Sequence, residues 1–286
     1  MSRNLEIVLA KNLEEVLNRL NEGNARIIAG GTDVIPGMNQ EAERFKNTGL
    51  LIDVNHVPQM KGISENRNII SIGAAESFSD LLNSEIVKDR LPLLWKAAST
   101  IGSVQIRNRA TIAGNFVNNA PCADSIPPLL VYNATIQIQS KDSMREISLN
   151  EFLSSSYKTK INKNEVVTKI EVPIPSKDLS GEFYKLGRRR AVAISRITLA
   201  LLLNIKNEAI EEIRIATGAV TPVGTRLFEL EQYAKGKKVD DKLMKELSNK
   251  VGEKIIEVTG LRWSSEYKLP VVQQMFYLML TRIAFG

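Results

Sequence analysis

Two stretches of this 286-residue chain carry residue types that can hold a charged ligand. The longer runs Gln105-Ile106-Arg107-Asn108-Arg109-Ala110-Thr111-Ile112-Ala113-Gly114-Asn115 and continues through Asn118-Asn119-Ala120-Pro121-Cys122-Ala123-Asp124. It reads as a polar loop of small residues. Ala113 and Gly114 let a ligand approach the backbone, while Thr111, Asn115, Asn118 and Asp124 offer a hydroxyl, two amides and a carboxylate. The shorter stretch, Ala29-Gly30-Gly31-Thr32-Asp33, repeats that chemistry far upstream. Paired glycines after a strand make either a tight turn or a nest of consecutive backbone N–H groups around a phosphate oxygen. The pattern fits neither G-x-G-x-x-G nor G-x-x-x-x-G-K-[ST], and Pro36-Gly37-Met38 argues against a long helix opening at once. Taken together, the two loops suggest one large, phosphate-bearing cofactor held between them.

Other chemistry is narrowly bounded. The single cysteine, Cys122, excludes an intrachain disulfide and any iron–sulfur or zinc site built from this chain's cysteines alone, and the single histidine, His56, excludes a two-histidine metal site. Redox chemistry here has to be carried by an organic cofactor. Cys122, between Pro121 and Ala123, reads as a small packing residue rather than a nucleophile. The net charge of +6 is spread along the chain, the densest basic cluster, Arg188-Arg189-Arg190, is short, and aromatic residues make up only 6%. No nucleic-acid surface is expected from that pattern. There is no run of about 18 apolar residues, and the start Met1-Ser2-Arg3-Asn4-Leu5-Glu6 lacks a signal-peptide core, so a soluble cytoplasmic protein without membrane insertion is expected.

The elements that must position the two loops follow from periodicity. Leu13, Val16, Leu17 and Leu20 recur at helical spacing after Asn12, a plausible N-cap, and Arg26-Ile27-Ile28-Ala29 then reads as a buried strand running into Gly30. With Leu50-Leu51-Ile52-Asp53-Val54 as the next strand, a βαββ-like unit results. Ile69, Ile70 and Ile72 make a strand, a helix begins at Phe78, and Leu91, Leu94, Trp95, Ala98 and Ile101 form a helical stripe with Gly102 as its C-cap. The segments 134–139 and 165–173 read as strands, the second stopped by Pro173 and Pro175. After a polar boundary at 176–182, three strands (Phe183 onward, 197–205 and 213–216) precede helices at 225–233, 240–258 and 271–283.

In this order and spacing the residues resemble the flavoprotein (medium) subunit of the molybdenum hydroxylases, the group of carbon monoxide dehydrogenase, xanthine dehydrogenase and aldehyde oxidoreductases. The resemblance covers essentially the whole chain. It rests on both loops, on Glu171-Val172-Pro173 and on Phe183-Tyr184-Lys185. It implies an α+β, two-subdomain FAD-binding fold of the vanillyl-alcohol-oxidase type plus a smaller C-terminal α+β domain, with boundaries at 1–57, 58–175 and 176–286. It also implies that backbone around Ala29, Gly30, Gly31, Thr32 and Asp33 holds the FAD diphosphate, with Ala113, Gly114 and Asn115 opposite and the Thr111 hydroxyl nearby. Asp124 then falls by the ribityl chain or neighbouring polar groups, Lys185 near the isoalloxazine, and Val167 against the ring system or the adenine.

The residues themselves leave several of these roles open. On sequence alone Lys185 reads more readily as an exposed strand lysine, and Asp124 equally as a helix N-cap ahead of Ile126. Arg107 and Arg109 fit FAD or partner contacts as well as surface ion pairs. Many family members carry a glycine where this chain has Ala113, which is harmless only if the position needs a small residue and not a positive φ. The resemblance supplies the metals through partners: a large molybdopterin–molybdenum subunit and a small [2Fe-2S] subunit, assembled as a dimer of heterotrimers. The chain is then the oxidoreductase's electron exit. A stand-alone flavin oxidoreductase and a scaffold subunit that has lost FAD are the competing readings.

Overall fold

The computed structural model describes residues 5–189 and 192–286, built around three main sheets. The first is parallel, with Leu50–Asp53 between Glu6–Leu9 and Ala25–Ile28. The helix Leu13–Leu20 makes the crossover between the outer strands and buries Val16, Leu17 and Leu20. The Asn12 side chain accepts from the Glu15 N–H at 2.8 Å, the N-cap expected from sequence. Residues 29–33 leave the carboxyl end of Ala25–Ile28, the end at which open parallel sheets bind ligands. Only a short helix follows, Val34–Asn39.

The second sheet is antiparallel, in the order Ile63–Asn66, Ile69–Gly73, Val166–Pro173, Thr135–Gln139, Met144–Ser148. The helices Phe78–Asn83 and Pro92–Ser99 join its core, and Trp95 packs half-buried against that core with its Nε1 donating to the Leu82 carbonyl at 3.1 Å. The expected C-cap moves: Thr100 ends the helix, and Gly102 lies two residues further on at φ +48°. Among the described residues, no helix is long and apolar enough to cross a membrane.

The third sheet orders Ser180–Gly187, Ser195–Lys206, Ala209–Gly218 and Thr225–Arg226, all antiparallel. Its second strand explains the apolar run in the sequence. Ile197, Leu199, Leu201 and Leu203 face a core shared with the helices Asp241–Thr259 and Ser265–Phe285, while Ala200 and Leu202 face the core of the other two sheets. Both faces are buried, so alternation is lost. The helix expected at 225 begins instead at Phe228, because Thr225 and Arg226 pair with Thr217 and Ala216 as a fourth strand.

The largest correction concerns the presumed long loop at 105–124, which is substantially helical. Val104–Arg107, Ile112–Asn118 and, just beyond it, Ile126–Val131 are helices. Ser103 and Thr111 cap the first two through their hydroxyls, and Ile112 and Phe116, one turn apart, are both fully buried. The polar composition reflects caps and a solvent-facing side rather than irregular chain.

Candidate functional site

Between the first two sheets lies a cavity of about 440 Å³, within the range of small-molecule sites. Residues 29–33, Thr111, Ala113, Gly114, Asn115 and Val167 all line it, so the two loops and the Val166–Pro173 strand meet around one space. They also touch each other. A Cβ on Gly30 would lie 1.9 Å from the Arg109 carbonyl oxygen and 2.8 Å from the Ala110 Cα, so only glycine allows this approach. Gly31 sits at φ +71°, which glycine adopts without strain. The resulting turn leaves the N–H groups of Gly30, Gly31, Thr32 and Asp33 without a protein acceptor among the described residues. Such a row of free donors is a nest for an anion.

The second loop is held differently. Phe78 N–H donates to the Ala110 carbonyl at 3.0 Å and Ile112 N–H to the Glu76 carbonyl at 2.9 Å, tying the loop to the segment after Ile69–Gly73. The Thr111 hydroxyl accepts from Gly114 N–H at 3.1 Å, and the Asn115 Oδ1 accepts from the Ser125 hydroxyl at 2.7 Å. Ala113 lies inside the helix Ile112–Asn118, 7% exposed and outside the positive-φ set, so the position requires a small side chain and nothing more.

Asp124 and Lys185 belong to a second centre. Lys185 Nζ donates to Asp124 Oδ2 at 2.6 Å and to the Thr100 carbonyl at 2.8 Å, while the Ser195 hydroxyl donates to the other Asp124 oxygen. The lysine side chain is 10% exposed and the aspartate 6%, so the exposed-lysine reading fails. The helix-cap reading of Asp124 fails too, because Ser125 occupies the cap position. Burial pushes the Asp124 carboxyl up, opposed by Lys185 and then Ser195. Lys185 lines a separate cavity of about 560 Å³ with Thr100, Gly102 and Arg107. Arg107 donates there to the Ile101 carbonyl at 3.0 Å, and neither it nor Arg109 forms an ion pair among the described residues. Burial, then Asp124, pushes the Cys122 thiol up, which fits a packing residue better than a nucleophile.

Residues 3–175 match the family described as FAD binding domain in molybdopterin dehydrogenase, and residues 182–283 match CO dehydrogenase flavoprotein C-terminal domain. The chain belongs to this family. The glyceraldehyde dehydrogenase medium chain of Sulfolobus acidocaldarius is 35% identical over 93% of each chain. The xanthine dehydrogenase FAD-binding subunit of Escherichia coli O157:H7 is 29% identical over 93% of this chain and 91% of its own. Among solved structures, carbon monoxide dehydrogenase from Hydrogenophaga pseudoflava matches with a TM-score of 0.89 at 26% identity, covering 97% of this chain and 96% of that one. The α+β FAD-binding fold with a C-terminal domain, expected from sequence, is the fold found.

Arg26, Arg44 and Tyr157 also line the cavity and were missed in the sequence, and Asn119, outside the lining, braces one of them. Asn119, fully buried at φ +46°, ends the helix Ile112–Asn118. Its amide donates to the Ser155 and Lys158 carbonyls, each at 2.9 Å, and its own carbonyl accepts from Tyr157 N–H. That grip fixes the hairpin carrying Tyr157, whose ring lies 4.5 Å from the Arg44 guanidinium. Arg44 bonds Asp33 at 2.9 Å, and Arg26 donates to the Arg44 carbonyl at 2.7 Å. Asparagine tolerates the left-handed region, so its placement after the helix was the one readable signal for this arrangement.

Proposed function

We propose that this chain is the electron-transfer subunit of a molybdopterin-dependent hydroxylase or dehydrogenase. It takes electrons from the [2Fe-2S] clusters of a small partner and passes them to an external acceptor, while a large molybdopterin–molybdenum partner oxidises the substrate. The observation that carries this reading is the row of unpaired N–H groups at Gly30–Asp33 in a loop that lines the 440 Å³ cavity together with the second loop, in a chain of an FAD-binding family. A diphosphate carries concentrated negative charge, and fixed backbone donors neutralise part of it without ordering flexible side chains.

The residues present fit FAD. Residues 29–33 would hold the diphosphate, with Ala113, Gly114 and Asn115 closing the opposite wall and Thr111 fixing that wall by its cap. Val167 shares this cavity and not the one at Lys185, so it serves the adenine end. Lys185, oriented by Asp124 and the Thr100 carbonyl, presents its ammonium to the isoalloxazine end. Bound FAD supplies the redox chemistry; this chain's residues bind it, orient it and set the charge around it. We place the functional units at 1–57, 58–175 and 176–286, in a cytoplasmic dimer of heterotrimers.

The test is purification of the native assembly with metal and flavin analysis. FAD, molybdenum and iron co-purifying with this chain and with one larger and one smaller partner are expected. A colourless assembly that takes up no added FAD would sink the reading, and full turnover by the isolated chain would favour a stand-alone flavin oxidoreductase.

A further inference from the structure

The cavity wall beside the first loop has an unbalanced charge. Arg26 and Arg44 both line it, and both guanidinium carbons lie within 4.8 Å of the Phe45 ring centroid. Among the described residues one carboxylate serves them, Asp33, and it bonds Arg44. Arg26 forms no ion pair among the described residues; its bond is to a backbone carbonyl. Burial and then the nearby Arg44 both act against its charge. Two guanidinium groups stacked on one ring, Arg26 half-buried and Arg44 exposed, sharing a single carboxylate beside four unpaired N–H groups, form an arrangement that an anion completes.

We propose that Arg26 and Arg44 are the charge-recognition pair for the diphosphate, and that Tyr157 is a positioning residue that holds Arg44 over the nest. This deepens the FAD reading and rests on it. Phe45, 1% exposed, is the fixed platform beneath both arginines. Tyr157 presses on Arg44 from a hairpin that Asn119 locks in place. The backbone nest supplies shape at the phosphate oxygens, and the arginines supply net positive charge. The chain would therefore recognise the diphosphate itself, with or without a flavin attached.

Calorimetric titration of the full chain with FAD, and separately with ADP, tests this. Arg26→Gln and Arg44→Gln should each weaken both ligands by roughly tenfold or more, the loss expected when a charged hydrogen-bond partner is removed. Wild-type ADP affinity should fall as salt rises. Tyr157→Phe should keep wild-type affinity, because the ring still stacks, while Tyr157→Ala should weaken ADP several-fold. Glutamine variants that bind ADP as tightly as wild type overturn the proposal, as does wild-type ADP affinity indifferent to salt. The salt series needs no variant, so it decides even if a substitution prevents folding. FAD uptake without ADP binding overturns the arginine role and leaves the cofactor reading standing; wild-type protein that binds neither overturns both.

Discussion

In the first loop the N–H groups of Gly30, Gly31, Thr32 and Asp33 have no protein acceptor among the described residues, whereas in the second those of Ile112, Ala113, Gly114 and Asn115 are all bonded. Glu76, Ala74 and Thr111 supply the acceptors for the second loop. Two stretches that share small residues, a threonine and an acid thus have opposite hydrogen-bond balances. One is a donor surface waiting for an anion, and the other is a finished wall against which that surface is set. Small residues near a ligand therefore have two separate uses: exposing backbone donors, and allowing backbones to touch.

If that division is right, substitutions on the second loop and its continuation should act on stability, and those on the first loop on ligand affinity. The largest effect is expected at the ion pair that anchors the continuation through Asp124. Lys185→Ala leaves Asp124 buried without its cation and should cost about 3–5 kcal/mol, read as a lower denaturation midpoint. Gly30→Ala comes next and breaks the division, because its Cβ collides with the second loop's backbone. A loss of about 1–3 kcal/mol together with weakened FAD uptake is expected from a thermal melt and a flavin titration, and retention of both would disprove the contact. Thr111→Val removes a cap and should lower stability by about 1 kcal/mol while leaving FAD affinity nearly unchanged.

The last effect is a pH dependence on the cavity's far wall. Arg145 hydrogen-bonds Glu165 at 2.8 Å and, with the Asn162 N–H, holds its carboxyl down at about 2 from the ordinary 4.5. A depressed acid contributes stability above its unfolded value and loses that contribution as pH falls through its folded one. The wall should therefore weaken between pH 4.5 and about pH 2, and Glu165→Gln should flatten that part of the acid-denaturation curve.

The sequence made the strands, the long helices and the glycine turn legible because each rests on local rules: alternation, helical spacing, a cap residue. It also grouped the residues that line the cavity, through the resemblance of both loops together. The burial of Lys185 was not legible, since a strand's period does not say which face meets another sheet. Nor was the reason for Gly30, which is a backbone 79 positions away in the chain pressing on it. Arg26, Arg44 and Tyr157 were missed for the same reason: Phe45 and the Asn119 grip gather them from separate segments. The helices within 105–124 were hidden by composition, because the residues that cap a helix are also those that favour loops.

The strand Ser195–Lys206 contributes Leu199 and Leu201 to one core and Ala200 and Leu202 to the other, so it is a wall common to both. Neither core can be opened to water without stripping one face of this strand. Removing the C-terminal helices would therefore expose a largely apolar sheet face rather than release an independent unit. The cofactor-binding part and the C-terminal part should melt together, in one cooperative transition, and the binding part should not survive alone as a soluble fragment.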